Sequence, residues 1–331
     1  MDTTTLHALA LNESPYPPLP SVQAAMARAV AQANRYPDLF PDRLAAHIAD
    51  RWSVAPRCVA VGSGSVGVAL QLLRAVVRPG DRVAYGWRTF DGYPLLAQMV
   101  GAQSLAVPLL PDGRQDLAAL AAVAGSRTRV LVICNPHNPT GSAVLADELA
   151  ALLHRVPVDV TVVLDEAYAE FARHPHLADG PAVLGLHPNL VVLRTFSKAY
   201  GLAALRVGYA LGSPDLMDRV RRQQLPFGIN AVATAAVEAS LEAGDELRRR
   251  VDAVVAERDR LGRELRAAGW RIPPSDANCL WLAEPDRADA GAAALAAAGV
   301  QVRAYAGEGI RVTVGSRDAN DAVLATLASL T

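Results

Sequence analysis

Two hydrophobic patterns alternate along this chain. Short runs rich in valine and leucine are typical of buried strands, and longer stretches rich in alanine, leucine and arginine repeat their apolar residues at helical spacing. The predicted strands lie at residues 58–61, 82–85, 104–107, 129–134, 160–164, 190–193 and 206–210. This alternation predicts an α/β fold, with a large domain built on a mostly parallel, seven-stranded sheet flanked by helices.

The pattern changes after residue 214. A strongly charged stretch at 246–268 predicts a long helix that bridges two parts of the chain, and the remainder mixes helices with short strands at 278–282, 300–303 and 309–314. We therefore expect a second, smaller α+β domain. The predicted division places the large domain at 34–245 and the small domain at 246–331, together with the N-terminal segment 1–33.

Composition and charge narrow the classes of function. The 331 residues include 32 basic and 33 acidic side chains, and 51% are apolar. This near-neutral charge gives no indication of binding to nucleic acid or to an anionic membrane. Every apolar stretch is interrupted well before the roughly 20 residues that a membrane-spanning helix needs, and no signal-peptide pattern follows Met1. We expect a cytoplasmic protein.

The numbers of cysteines and lysines say more about function than the overall charge does. The three cysteines are Cys58, Cys134 and Cys279, whose spacing predicts neither a disulfide framework nor a metal site. The basic residues comprise 31 arginines and one lysine, Lys198. A coding bias explains the arginine excess without any function, but it does not explain the single exception. Because a desolvated lysine amine can act as a nucleophile or a base and arginine cannot, Lys198 is a candidate catalytic residue.

A glycine-rich turn at residues 62–67, GSGSVG, follows a predicted strand and opens a predicted helix. Its GxGxxG spacing is compatible with a dinucleotide-binding turn, which keeps a nicotinamide-dependent oxidoreductase open as an alternative. The nearest downstream acid, Asp81, lies before the next strand, whereas a ribose-binding acid belongs at the end of that strand. A phosphate at the helix N-terminus is the favoured interpretation, and a plain tight turn is the structural alternative.

Polar residues follow three further predicted strands. The segments are CNPHNPTG at 134–141, LDEAY at 164–168 and RTFSKAYG at 194–201. Turn geometry alone explains much of the first segment. Ligands in open α/β sheets nevertheless bind at the carboxyl ends of the strands, and a carboxylate placed there is costly unless it meets a cation. The three segments therefore predict a site that combines an amide, an acid and the only lysine.

Taken in order, these motifs resemble the fold-type I pyridoxal-phosphate aminotransferases, most closely the branch of histidinol-phosphate and aromatic amino acid aminotransferases. The segments that carry the resemblance over nearly the whole chain are LNESPYPPLPSV, NRYPD, CNPHNPTG, LDEAYAEF, RTFSKAYGLAALRVGY, PFGIN, SDANCLWL and GIRVTVGS. The resemblance implies pyridoxal 5′-phosphate as cofactor, an amino acid and a 2-oxo acid as substrates, and a homodimer with shared active sites. The residues agree, since this cofactor needs a lysine, an acid for its ring nitrogen and a cationic helix end for its phosphate.

The resemblance also implies a role for each matching residue. Lys198 would hold the cofactor as an imine and move a proton, while Asp165 would pair with the ring nitrogen. The phenolic oxygen of the cofactor would receive hydrogen bonds from Tyr168 and Asn138. The other cofactor-binding residues would be Phe90 on the ring face, Gly64, Ser65, Val66, Ser197 and Arg206 at the phosphate, and Tyr36 from a second subunit. The substrate would contact Arg311 through its carboxylate, and also Tyr16, Asn138 and Arg303.

Departures from the family pattern bear on the substrate. Val66-Gly67 replaces a common acidic pair, the N-terminal arm is short, and Arg88 stands in place of a usual proline. The segment GWRTFDGY and the short loop between Arg303 and Arg311 resemble the aromatic aminotransferases. We therefore predict ping-pong transfer between an aromatic L-amino acid and 2-oxoglutarate. The alternatives are a histidinol-phosphate aminotransferase, a phosphothreonine-type decarboxylase and the effector domain of a transcription regulator.

Overall fold

A computed structural model describes residues 6–125 and 127–330 of the chain. Its strands are β1 (His7–Ala8), β2 (Val59–Ser63), β3 (Arg82–Trp87), β4 (Gln103–Pro108), β5 (Thr128–Cys134), β6 (Thr161–Asp165), β7 (Leu190–Thr195), β8 (Val207–Gly212), β9 (Cys279–Leu282), β10 (Val300–Gln301), β11 (Arg303–Tyr305) and β12 (Gly309–Thr313). Its α-helices are α1 (Pro20–Val30), α2 (Asp42–Trp52), α3 (Gly64–Val76), α4 (Gly92–Met99), α5 (Leu117–Ala122), α6 (Ala146–Arg155), α7 (Gly180–Val183), α8 (Pro214–Arg221), α9 (Ala231–Glu242), α10 (Gly244–Ala267), α11 (Pro285–Ala297) and α12 (Arg317–Ala328). Strands and helices alternate through the first two thirds of the chain, as the sequence predicts.

The large sheet has seven strands in the order β2-β8-β7-β6-β5-β3-β4. Strand β8 runs antiparallel to both of its neighbours, and the other adjacent pairs are parallel. The predicted fold class is therefore confirmed. One boundary differs at the last strand: Arg206 lies just before β8, in a left-handed conformation with φ 55°, which is incompatible with an extended strand residue.

Both faces of this sheet are buried, which explains the continuous apolar runs in its central strands. Val162 and Leu164 of β6 belong to one hydrophobic core, whereas Val163 between them belongs to the core on the opposite face. The period of two places Asp165, the last residue of β6, on the same face as Val163. Helix α4 packs on that face, and its Tyr93 is part of the same core.

The C-terminal part of the chain forms a smaller, three-stranded antiparallel sheet in the order β11-β12-β9. Its core combines Leu261, Leu280 and Ile310 with Leu9 from the N-terminal segment. Strand β1 pairs in parallel with β10, so the two ends of the chain share this region. The predicted single strand at 300–303 is wrong. Two short strands occupy this region, and β10 pairs with β1 whereas β11 pairs with β12. The domain boundaries at 34 and 246 stay predictions.

None of the helices in the described residues is both long enough and apolar enough to cross a bilayer. The longest, α10, contains many charged residues and packs against α12 through part of its surface.

Candidate active site

A cavity of about 380 Å³ opens at the carboxyl ends of β5, β6 and β7. Its lining includes the strand-end residues Cys134, Asp165 and Thr195. The loops that follow these strands, the N-terminal segment and the small sheet complete the walls with Ala10, Leu11, Asn138, Tyr168, Ser197, Lys198, Arg303 and Arg311. The three polar segments identified in the sequence thus meet in one place.

Lys198 lines this cavity and is partly accessible. Its Nζ donates a hydrogen bond to the carbonyl oxygen of Leu11 at 2.8 Å. Burial lowers the pKa of the Lys198 amine to about 8, and the positive charge of Arg311 acts in the same direction. A substantial neutral fraction near physiological pH makes this amine a competent nucleophile and base.

Asp165 is a buried carboxylate at the end of β6. Its Oδ1 accepts a hydrogen bond from the backbone N–H of Ala167 at 3.2 Å, and its Oδ2 accepts one from the hydroxyl of Tyr93. Burial raises the pKa of Asp165, while Tyr93, Ala167 and the charge of Lys198 oppose that rise. The arrangement can hold a protonated ring nitrogen, which would supply a positive partner for this carboxylate.

Tyr168 and Asn138 each have a partner from a distant part of the chain. The hydroxyl of Tyr168 accepts a hydrogen bond from Nδ2 of Asn12 at 3.1 Å, and burial raises the pKa of Tyr168 well above its ordinary value. The Oδ1 of Asn138 accepts from Nη1 of Arg311 at 2.6 Å. Arg311 also donates to the carbonyl of Ala10, and its buried Nε has no hydrogen-bond partner within the described residues.

A second cation lies at the N-terminus of α3. The guanidinium of Arg206 contacts Ser197 Oγ at 3.4 Å and donates to the carbonyl of Ala203 at 2.9 Å. Gly64 begins α3 with φ 72°, and a Cβ there would meet Nη2 of Arg206 at 2.3 Å, so only glycine permits this approach. Free backbone N–H groups, a hydroxyl and a guanidinium together suit a phosphate.

Two further predicted site residues lie on the outer wall. Phe90 lines the cavity and packs edge-on against Tyr93, with ring centroids 5.9 Å apart. Arg303 also lines it, and its Nη2 pairs with Oδ2 of Asp91 at 2.7 Å. Ser65 and Val66, from the first turn of α3, complete this wall.

Two other predicted site residues lie away from the cavity of this protomer. Tyr16 lines an adjacent groove of about 490 Å³, where the guanidinium of Arg250 lies 5.4 Å from its ring centroid. Tyr36 is 86% exposed and packs against Phe227, with ring centroids 5.1 Å apart. The role of Tyr16 in a substrate pocket stays a prediction, and so does the contribution of Tyr36 to a second subunit.

Comparison with known proteins identifies the family. The family model for aminotransferase class I and II matches residues 4–327. The chain belongs to this family. It is 49% identical to an aromatic amino acid aminotransferase of Streptomyces avermitilis over 96% of this chain and 89% of that protein. It is 50% identical to an aromatic amino acid aminotransferase of Thermobifida fusca over 96% of this chain and 88% of that protein.

Solved structures agree with this family. The histidinol-phosphate aminotransferase from Sinorhizobium meliloti, in complex with pyridoxal-5′-phosphate, matches with a TM-score of 0.92 and 28% identity. The match covers 98% of this chain and 90% of that one. The N-succinyldiaminopimelate aminotransferase from Mycobacterium tuberculosis has a TM-score of 0.87 and 25% identity, covering 98% of this chain and 94% of that one. The chain is thus a pyridoxal-phosphate-dependent transaminase.

The residues of the cavity fit this cofactor. Arg206 lies against Gly64 at the N-terminus of α3, where a cation and backbone N–H groups suit a phosphate, and the buried Nε of Arg311 has no hydrogen-bond partner within the described residues. Lys198 lines the same cavity as these two cations and Asp165, the carboxylate suited to a ring nitrogen. Across the described residues, no cluster of three or more potential ligands for a metal ion occurs.

Asn12 and Tyr93 hydrogen-bond to residues that line the cavity, and sequence reasoning did not single them out. Both lie inside segments that carry the family resemblance, LNESPY and GWRTFDGY, but neither has a partner at a recognisable spacing. Asn12 contacts Tyr168 across 156 positions, and Tyr93 contacts Asp165 across 72. Only the alternation of side chains along β6 could have indicated that Asp165 faces helix α4, on the same side of the sheet as Val163.

Proposed function

We propose that this transaminase transfers the amino group of an aromatic L-amino acid to 2-oxoglutarate by a ping-pong reaction. The observation that carries the proposal is that the two candidate cations for a substrate phosphate, one lining the cavity and one lining a separate groove, are each paired with a carboxylate. Arg303 pairs with Asp91 at 2.7 Å, and Arg88 pairs with Glu308 at 2.8 Å. A phosphorylated side chain would have to compete with these carboxylates for either cation. The relatives named aromatic amino acid aminotransferases support the same substrate class.

Arg88 turns away from the cavity. Its guanidinium lies 4.7 Å from the ring centroid of Trp87 and 5.5 Å from that of Tyr305, and it lines a separate groove that also contains Glu308. A planar guanidinium stacked on aromatic rings and paired with a carboxylate is well satisfied where it is. Histidinol phosphate is the second candidate substrate, favoured by the similarity to the Sinorhizobium meliloti structure.

When bound, pyridoxal phosphate supplies an electron-withdrawing ring that stabilises negative charge at the substrate Cα. We assign the remaining work to side chains of the chain itself. Lys198 provides the amine that bonds the cofactor and then carries the proton from the substrate Cα. Asp165 keeps the ring nitrogen protonated. Arg311 pairs with the substrate carboxylate through two parallel hydrogen bonds, a geometry that a guanidinium provides and an ammonium does not.

The test is kcat/KM for phenylalanine and for histidinol phosphate, each with 2-oxoglutarate as acceptor. Burying an aromatic ring contributes roughly 2–3 kcal/mol, so we expect phenylalanine to be favoured by about two orders of magnitude. The matched variant is Asp91→Asn, which frees Arg303 and should raise the relative efficiency with histidinol phosphate. A wild-type preference for histidinol phosphate would contradict the proposed substrate.

We also propose a homodimer in which Tyr36 completes the active site of the second copy. Tyr36 packs against Phe227, whose backbone N–H donates to the carbonyl of Leu39, and the three exposed side chains form an apolar patch. A contiguous patch of this kind is typical of a surface that another protein covers. A cytoplasmic location stays a prediction.

Removal of the Tyr36 hydroxyl tests the shared site. If this hydroxyl binds the phosphate of the partner's cofactor, Tyr36→Phe should weaken cofactor retention by about 10–150-fold, as expected for a hydrogen bond of roughly 1.5–3 kcal/mol to a charged group. Sedimentation of the wild-type protein gives the assembly state. A fully active monomer would disprove the shared site.

A further inference from the structure

Asn12 and Thr313 form a closed hydrogen-bond pair beside Tyr168, and all three side chains are buried. The backbone N–H of Asn12 donates to Thr313 Oγ1 at 2.9 Å, and Thr313 Oγ1 donates to Asn12 Oδ1 at 3.0 Å. Asn12 Nδ2 then reaches the hydroxyl of Tyr168 at 3.1 Å. The carbonyl of Asn12 accepts from Asn278 Nδ2 at 3.2 Å, which holds the backbone of the pair in place.

These contacts determine which atom donates at each step. A backbone N–H can only donate, so Thr313 Oγ1 must accept from it, and the hydroxyl hydrogen of Thr313 is left for Asn12 Oδ1. With its oxygen thus engaged, the amide of Asn12 presents its NH₂ group to Tyr168. The hydroxyl oxygen of Tyr168 therefore accepts from Asn12.

The hydroxyl hydrogen of Tyr168 is not used in the contact with Asn12. A tyrosine hydroxyl has one hydrogen, and within the described part of the chain the hydroxyl has no hydrogen-bond acceptor. Tyr168 lines the cavity that Lys198 also lines, so the cavity is the open side toward which this hydrogen can point. The titratable groups around Tyr168 are Cys134, Cys279 and Arg311, none of which hydrogen-bonds to its hydroxyl, and Lys198, whose Nζ lies 5.8 Å from the centroid of its ring.

We infer that Asn12 and Thr313 are positioning residues that make Tyr168 a hydrogen-bond donor into the cavity, toward the phenolic oxygen of the cofactor. This inference rests on the proposed function. A donor at that oxygen stabilises its negative form and so favours loss of the proton shared with the lysine-bound nitrogen. The pair thereby lowers the pH at which the bound cofactor titrates, although neither residue contacts the cofactor.

The experiment measures the pH midpoint of the visible absorbance of the holoenzyme. Thr313→Val keeps the shape of the side chain but frees the Asn12 amide to turn, so that Tyr168 can donate to its oxygen instead. Asn12→Asp tolerates the left-handed backbone at this position, φ 52°, and presents only acceptors to Tyr168. We expect either variant to raise the midpoint by about 1–2 pH units, the shift that corresponds to one hydrogen bond to a charged group.

Three controls isolate the direction of the hydroxyl. Thr313→Ser retains the hydroxyl and should leave the midpoint unchanged. Cys279→Ala removes the other contact of Asn12 Nδ2, at 3.5 Å to Sγ, and should also leave it unchanged. In a Tyr168→Phe background, Thr313→Val should have no further effect, and Asn12→Asp should retain only the contribution of its negative charge.

An unchanged midpoint in a folded, cofactor-loaded Thr313→Val protein would overturn the inference. An equal shift from Thr313→Val in the Tyr168→Phe background would overturn it as well. If Thr313→Val does not fold, the comparison of Asn12→Asp with and without the Tyr168 hydroxyl decides. Failure of the proposed function would appear separately, as a wild-type protein that binds the cofactor but does not transaminate aromatic amino acids.

Discussion

Replacing Tyr93 with phenylalanine removes the hydroxyl that donates to Oδ2 of Asp165 and leaves the packed ring in place. Tyr93 is buried, and Asp165 is only 6% exposed at the cavity, so little water can replace the lost donor. The backbone N–H of Ala167, at 3.2 Å, remains as the only described hydrogen-bond donor to this carboxylate. A hydrogen bond to a charged group contributes about 1.5–3 kcal/mol, so the pKa of Asp165 should rise by about 1–2 units.

The effect on stability depends on pH in a defined direction. Burial already raises the pKa of Asp165 above its ordinary value of 3.8, so the folded state binds the proton more tightly than the unfolded chain does. Stability therefore falls as the pH rises from that value through the folded-state pKa. The variant has a higher folded-state pKa, so its deficit is small in acid and grows with pH. It reaches about 1.5–3 kcal/mol once Asp165 is ionised in both proteins.

The assay is urea unfolding of the cofactor-free protein at a series of pH values. Tyr85→Phe is the matched control, since Tyr85 is a buried tyrosine of β3 whose hydroxyl bonds to Ser104 rather than to a carboxylate. We expect a deficit that rises with pH only in Tyr93→Phe. A deficit of the same size and without pH dependence in both variants would refute the assigned electrostatic role of Tyr93.

Two further predictions concern Lys198. Lys198→Arg should abolish transamination, because arginine offers no neutral amine near neutral pH. Lys198→Ala should be equally inactive while still binding the cofactor non-covalently. Substantial turnover by either variant would contradict the role of this lysine. The pKa of about 8 predicts that covalent capture of pyridoxal phosphate by the cofactor-free enzyme accelerates about tenfold per pH unit below that value and levels off above it. Stopped-flow absorbance would measure this rate, and a continued rise toward 10.5 would indicate an unperturbed amine.

The parts of the fold that the sequence predicts are those encoded locally. Strands β5, β6 and β7 are continuous apolar runs because both faces of the sheet are buried, and their polar ends mark the edge where the cavity opens. The sequence alone therefore predicts the seven-stranded sheet and the meeting of Asn138, Asp165 and Lys198. Parallel strands bring their carboxyl ends together whatever the details of packing.

What the sequence could not predict depends on the packing of distant elements. The contact between Asn12 and Thr313 joins positions 301 residues apart, and no spacing rule connects them. The partner of Arg303 is set by how the β11–β12 hairpin lies against the start of α4, which places Asp91 within reach. The predicted strand at 300–303 is divided for the same reason, because β10 pairs with the N-terminal strand β1 whereas β11 pairs with β12.

The N-terminal segment shows why so few local signals exist for this site. Three consecutive residues contact three functional side chains: the carbonyls of Ala10 and Leu11 accept from Arg311 and Lys198, and Asn12 donates to Tyr168. Two of these contacts use backbone atoms, which any residue type provides, so the sequence carries no mark of them. The segment is held by the pairing of β1 with β10, and by the N–H of Thr313 in the small sheet, which donates to the carbonyl of Leu9. The geometry of the cavity is therefore set jointly by the large sheet, which supplies the reacting groups, and by a short segment that the opposite end of the chain holds in place.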